Sequence, residues 1–334
     1  MTDMRAIVLD APGPPESLQL RTIAKPEPRD GWVLLRVEAF GLNRSELHTR
    51  LGLAGDDVSF PRVLGIEAAG VIEAAPGTRF ESGTRAVAMM GGMGRTFDGG
   101  YAEYTLVPAA CVIPVSTKLE WRLLGALPEI LQTAWGSISV GVNLSEGGTL
   151  LIRGGTSSVG LMSAILAKRV GATVFSTTRR ADRAQALLDV GVDHVLVDDG
   201  QIAEKVRDIL PEGVDGAIEL VGAPTLRDTL RACRPGGTTC FTGMLSNQWI
   251  VPEFYPIDFI PTGVRLTAYG GDADNLPGDL LSEIANAIDQ GEIDWPVEVY
   301  TMEDIVKAHN DMENNRIAAK QVVVTREAVQ PEKS

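Results

Sequence analysis

The run Gly154-Gly155-Thr156-Ser157-Ser158-Val159-Gly160 has the residue types that hold a bound anion. Glycines there let a strand turn tightly into a helix, bring backbone N–H groups close to a pyrophosphate, and aim the positive end of the helix at its charge. The dinucleotide fingerprint is Gly-x-Gly-x-x-Gly, and here it reads Gly155-x-Ser157-x-x-Gly160, with serine narrowing the approach while keeping a polar group. An NAD site would carry a carboxylate about 20 residues further on to bind the ribose hydroxyls. This chain instead has Thr178-Arg179-Arg180, with Arg183 one helical turn along and no carboxylate until Asp182. Guanidinium groups form charge-assisted hydrogen bonds with phosphate, so the pair of motifs predicts NADPH. The expected cofactor contacts are Gly155, Thr156, Ser157, Ser158, Val159, Gly160, Thr178, Arg179, Arg180 and Arg183. Taken alone, the same residues also suit a packing turn and a solvated cationic helix start, so the flanking elements must decide.

Those elements repeat as strand and helix. Strands are expected at 148–153, 172–177, 194–197, 217–220, 237–242 and 264–269, with helices at 158–170, 181–190, 202–210 and 225–233 between them. Near-continuous apolar strands such as Leu150-Leu151-Ile152 belong to buried parallel sheets, and the alternation predicts a doubly wound α/β domain. Before residue 121 the pattern is different. Trp32 to Phe40 puts Val33, Leu35, Val37 and Ala39 on one face, and further short strands are expected at 4–9, 18–22, 70–73, 85–89 and 101–107, giving a β-rich barrel or sandwich. The glycine-rich run from Met89 to Gly100 reads equally as a loop that closes over a ligand or as a solvent-facing insertion. Helices at 280–288 and 302–313 and a strand at 320–325 come last. His194 and His309 read as packing or solvated residues, with His309 on a polar helix face.

The 334 residues are enough for two domains with their own cores. A net charge of -14 repels phosphate backbones and argues against nucleic acid as a partner. The 3 cysteines form no CxxC pair, which argues against a thiolate-built zinc lobe. No stretch reaches the roughly 18 apolar residues of a membrane span, and no signal-like succession opens the sequence, so the expectation is a cytoplasmic protein without membrane association.

Together with Gly65-Ile66-Glu67-Ala68-Ala69-Gly70 and Gly99-Gly100-Tyr101-Ala102-Glu103-Tyr104, these features resemble the medium-chain dehydrogenase/reductase superfamily. Phe40-Gly41-Leu42-Asn43-Arg44-Ser45-Glu46-Leu47-His48 and Leu131-Gln132-Thr133-Ala134-Trp135 are similar to its zinc-independent NADPH:quinone oxidoreductase branch. The resemblance implies a fold of α/β and β class, with a GroES-like catalytic domain and a doubly wound parallel-sheet Rossmann domain. The expected boundaries are 1–122 for the first part of the catalytic domain, 123–265 for the NADP-binding domain, and 266–334 for a Rossmann edge strand and the return to the catalytic domain. It also implies a homodimer.

Zinc-dependent relatives hold their metal with a cysteine and a histidine where this chain has Asn43 and Ile66, and neither replaces a thiolate or imidazole, so no metal is expected. The resemblance places Asn43 near the nicotinamide and its ribose, and His48 at a position often occupied by tyrosine, where an imidazole could deliver a proton. It carries Gln132, Thr133, Gly243 and Met244 to the nicotinamide side and Lys320 to the NADP phosphate. Glu67 reads either as a carboxylate of the active site or as a structural hydrogen-bond acceptor. The reaction implied is NADPH-dependent reduction of a small apolar conjugated substrate, a quinone or an enone or enal. An enoyl-thioester reductase and a non-catalytic NADPH-binding protein are the alternatives.

Overall fold

The computed structural model describes residues 2–55, 58–317 and 319–326, and divides the chain into two compact units. One comprises Met1–Glu129 with Asp272–Ser334, the other Ile130–Gly271.

In the discontinuous unit a seven-stranded sheet runs in the order Val297–Thr301, Lys320–Val324, Trp32–Gly41, Glu67–Ala74, Arg85–Met89, Val112–Pro114, with Tyr104–Pro108 also paired to Trp32–Gly41. A three-stranded sheet of Leu18–Ala24, Asp3–Leu9 and Arg62–Val63 completes the β framework. Trp32–Gly41 forms the centre because its alternate apolar side chains, Val33, Leu35 and Val37, are fully buried in one core with Ile7, Leu64, Ile72 and Tyr101. Close approach of Glu67–Ala74 requires Gly70, where a Cβ would stand 1.9 Å from the Arg36 carbonyl oxygen. The chain's late return is covalently distant but structurally central: Lys320–Val324 lies antiparallel to Trp32–Gly41, with Val322 opposite Gly41.

The glycine run after Met89 is neither a free lid nor a solvent-facing insertion. Gly99, Gly100 and Tyr101 donate backbone hydrogen bonds to the carbonyls of Val63, Gly65 and Leu64, and a Cβ at Gly94 would meet Gly65 backbone atoms at 2.8 Å. Its glycines serve tight backbone packing. Among the elements not expected from sequence are the helix Arg44–Arg50 and the strand Val297–Thr301.

The continuous unit is a six-stranded, all-parallel sheet. Its strands are β1 (Thr149–Arg153), β2 (Thr173–Thr178), β3 (His194–Val197), β4 (Val214–Glu219), β5 (Cys233–Phe241) and β6 (Arg265–Ala268), in the spatial order 3-2-1-4-5-6. That is the doubly wound dinucleotide-binding order, with its switch point beside β1. The connecting helices are α1 (Ser158–Arg169), α2 (Ala184–Asp189), α3 (Ile202–Ile209) and α4 (Ala223–Ala232). The helix Pro128–Gly136 continues as a π-helical turn, Ser137–Val142, capped by Asn143 at a φ of 54°. No helix among the described residues is long and apolar enough to cross a membrane.

Candidate functional site

In the discontinuous unit, the strand Trp32–Gly41 delivers Asn43 to the start of the helix Arg44–Arg50. Asn43 and Glu46 have capping-box spacing, and the Glu46 carboxylate accepts the Asn43 backbone N–H at 2.8 Å. The same carboxylate accepts the Ile66 N–H at 2.9 Å, which ties the helix start to the approach of strand Glu67–Ala74. Glu67 is fully buried, with Oε2 accepting the Glu129 N–H at 2.8 Å and Oε1 accepting Asn43 Nδ2 at 2.8 Å and Lys320 Nζ at 2.9 Å. Lys320 Nζ also donates to Asn43 Oδ1.

The cluster therefore holds two carboxylates, one ammonium and one amide, all buried. Burial pushes the Glu46 carboxyl up to about 7; the Ile66 N–H opposes that rise and the Glu67 charge adds to it. Lys320 was expected at a cofactor phosphate. Its ammonium bonds Glu67 and Asn43, and its Cε would lie 2.8 Å from a Cβ at Gly41. His48 lies further along the Asn43 helix and is buried. Among the described residues, no group of three or more His, Cys, Asp or Glu side chains is placed to hold a metal ion.

Outside that cluster, His309 is fully buried, not on a polar face, and its Nε2 lies 3.1 Å from the Tyr101 hydroxyl. Burial, and then the Arg50 charge, pull its pKa down to about 3.

In the continuous unit, β1 ends at Arg153 and turns through Gly154, at a φ of +87°. A Cβ at Gly155 would fall 1.8 Å from Ser176 Oγ, and one at Gly160 would fall 2.6 Å from the Gly155 carbonyl oxygen, so both positions demand glycine. Ser157 caps α1: its hydroxyl accepts the Gly160 N–H at 3.1 Å and donates to the Gly154 carbonyl at 2.8 Å. The N–H groups of Ser158 and Val159, in the first turn, have no intrahelical acceptor. Thr156 lies in the turn itself. This cradle fits a pyrophosphate.

At the end of β2, the Thr178 hydroxyl closes a local turn with the Arg180 backbone, and Arg183 N–H bonds the Arg180 carbonyl. Arg180 is ion-paired with Asp182, both exposed, whereas the exposed Arg179 makes no ion pair among the described residues. Gly243 follows β5 and donates to the Glu219 carbonyl at the end of β4. Met244, next to it, is half-buried. Gln132 is buried and donates to the Tyr269 hydroxyl at 2.6 Å, with Thr133 beside it.

Sequence reading missed the charge beneath this cradle. Arg153 is fully buried; its Nε and Nη2 donate to the two Asp198 oxygens at 2.9 and 2.8 Å, and Nη1 donates to Asp228 at 2.6 Å. Beside it, Glu219 accepts from the Thr225 and Thr229 hydroxyls and the N–H groups of Val221 and Gly222. Its only signal was a charged residue ending an otherwise apolar strand.

A GroES-like β unit and a doubly wound unit with an anion cradle together define a two-unit, dinucleotide-type oxidoreductase. The family comparisons agree. A model described as zinc-binding dehydrogenase matches residues 158–283, and one described as alcohol dehydrogenase GroES-like domain matches residues 29–117. A quinone oxidoreductase of Pongo abelii is 27% identical over 319 residues, covering 92% of this chain and 94% of that protein. The crystal structure of AibC shares 29% identity with a TM-score of 0.86, over 97% of this chain and 96% of that one. Mycobacterial Rv1454c, solved in complex with NADPH, shares 25% identity with a TM-score of 0.83, over 96% of this chain and 100% of that one. In both units the chain is similar to the medium-chain dehydrogenase/reductase superfamily, and its relatives lie in the quinone oxidoreductase-like branch.

Proposed function

We propose that this protein reduces quinones or conjugated enones and enals with NADPH, without a catalytic zinc. One observation carries the reading: the buried Glu67 is neutralised by the Lys320 ammonium and bonded by Asn43, beside the Asn43 and Ile66 that the resemblance sets at the metal-ligand positions of zinc-dependent relatives. The names of its relatives, and the NADPH complex of one of them, support it.

NADPH, when bound, supplies a hydride for the conjugated carbon. The turn from Gly155 to Gly160 and the first N–H groups of α1 bind the pyrophosphate. Arg179, without a carboxylate partner among the described residues, meets the 2'-phosphate, while Arg180 must share its charge with Asp182. Asn43 orients the nicotinamide ribose, and His48 or water delivers the proton that completes addition. Thr178, Arg183, Gly243 and Met244 line the cofactor's path. Gln132 and Thr133 have a supporting role, since the Gln132 amide is given to Tyr269. A conjugated apolar acceptor suits a site without a Lewis acid because conjugation spreads the arriving charge.

Steady-state NADPH oxidation against a panel of quinones, enones, enals and enoyl thioesters tests the proposal. Turnover of a quinone or enone supports it; turnover of thioesters alone, or of nothing despite tight NADPH binding, overturns it. His48→Phe is expected to lower turnover and alter its pH dependence.

Two finer features belong to the same proposal. Three buried free thiols, Cys111, Cys233 and Cys240, suit the reducing cytoplasm. A homodimer is supported by the exposed apolar residues Ile250, Tyr255 and Ile257 after β5, and light scattering checks it.

A further inference from the structure

We infer that Lys320 is a positioning residue that, with Glu67 and Glu46, locks the Asn43 side chain so that it meets a ligand only as a hydrogen-bond acceptor. This rests on the NADPH reading for its consequence, but the lock itself is a property of this chain's own residues.

An amide can be turned end for end, and here only one orientation is possible. Lys320 Nζ carries hydrogens alone, so the Asn43 atom it meets must be Oδ1. Asn43 Nδ2 then donates to Glu67 Oε1 at 2.8 Å and to Glu46 Oε1 at 3.3 Å, both acceptors already shared with Lys320 and the Ile66 N–H. The flipped amide would set NH2 against an ammonium and C=O against two carboxyl groups. Gly41 makes the arrangement possible, since a Cβ there would stand 2.2 Å from Glu67 Oε1 and 2.8 Å from Lys320 Cε.

Both amide hydrogens are spent, so Asn43 has none to give to a substrate carbonyl or to the negative charge that develops on it. Oδ1 alone remains able to engage a ligand, and it selects a donor: a ribose hydroxyl or a carboxamide N–H of the cofactor. Asn43 is thereby assigned to cofactor orientation, and stabilisation of the substrate oxygen falls to another group.

The test pairs two readouts. In protein with 15N-labelled asparagine, the Asn43 side-chain hydrogens should exchange slowly with solvent in the wild type and at least about tenfold faster in Lys320→Met, with no cofactor present. Unchanged exchange overturns the lock. Calorimetric titration with NADPH and with NADH should show Lys320→Met weakening both by the same factor, roughly ten- to hundredfold, with no further loss in an Asn43→Ala background. Weakening of NADPH alone, persisting in Asn43→Ala, would mean direct contact with the phosphate and overturn the inference. Should Lys320→Met fail to fold, Gly41→Ala separates Glu67 from Lys320 without removing a polar group and should reproduce both effects. The exchange measurement needs no cofactor, so failure of the reductase reading and failure of the lock are told apart.

Discussion

Both units bury charge, and they do so in opposite ways. Beneath the anion cradle, Arg153 meets two aspartates with well-formed hydrogen bonds, and Glu219 is satisfied by four donors. In the discontinuous unit, two glutamates compete for a single ammonium, and the shortfall is met by backbone N–H groups and by an uptake of protons at Glu46 near neutral pH. The first arrangement fixes a permanent charge that braces a binding turn. The second leaves one carboxyl able to titrate close to where the chemistry is proposed. A buried ion pair costs most when one partner is deleted, whereas a buried titratable acid shows itself as a pH dependence of stability.

The sharpest way to break this contrast is Arg153→Met. It strands Asp198 and Asp228 beside a fully buried site, and the expected loss is about 3–5 kcal/mol of unfolding free energy, read by urea denaturation. A loss below about 1 kcal/mol would show that water replaces the guanidinium, and the bracing role would fall.

That network illustrates what a sequence hides. The strand-helix repeats of the continuous unit were legible because each element carries its own periodicity, and even the sixth strand was placed. Arg153 was not, since its partners lie 45 and 75 residues away and no local pattern links them. The same holds for Lys320 and Glu67, 253 residues apart. The helix Arg44–Arg50 was overlooked because its seven residues include only one large apolar side chain, Leu47. The capping spacing from Asn43 to Glu46 was available as a signal. Strand Val297–Thr301 was overlooked although its Val, Tyr and Thr residues are strand formers, so that signal was available; its place in the sheet comes from pairing with Lys320–Val324.

Two buried groups of the discontinuous unit sharpen the comparison through pH. Glu46 is held near 7 against an ordinary value of 4.5, so the folded state binds the extra proton, and stability falls as pH rises from 4.5 to 7. His309 is held near 3 against 6.5, so the unfolded state binds the extra proton, and stability falls as pH drops below 6.5. Between pH 4.5 and 6.5 the two effects oppose each other, each worth about 2–3 kcal/mol. Denaturation at both ends of that window, with each variant compared against wild type, separates them. Relative to wild type, Glu46→Gln should become less stable on acidification, and His309→Gln more stable. Parallel curves for all three proteins would remove the titratable character assigned to this unit.

The smallest expected effect lies at the surface of the continuous unit, where charge is neither braced nor buried. Arg179 and Arg180 are neighbours of the same type, yet among the described residues only Arg180 has a carboxylate partner, Asp182. A guanidinium already paired must give up or share that contact to meet a phosphate, whereas an unpaired one loses only water. Arg179→Ala should therefore weaken NADPH by roughly ten- to hundredfold while leaving NADH nearly unchanged, and Arg180→Ala should cost less. Asp182→Asn releases the Arg180 guanidinium and should tighten NADPH, an effect that shrinks as salt screens the site. Fluorescence titration of both cofactors at low and high ionic strength measures all three. Equal losses for NADPH and NADH in Arg179→Ala would place the 2'-phosphate elsewhere, and the division of labour between the two arginines would be wrong.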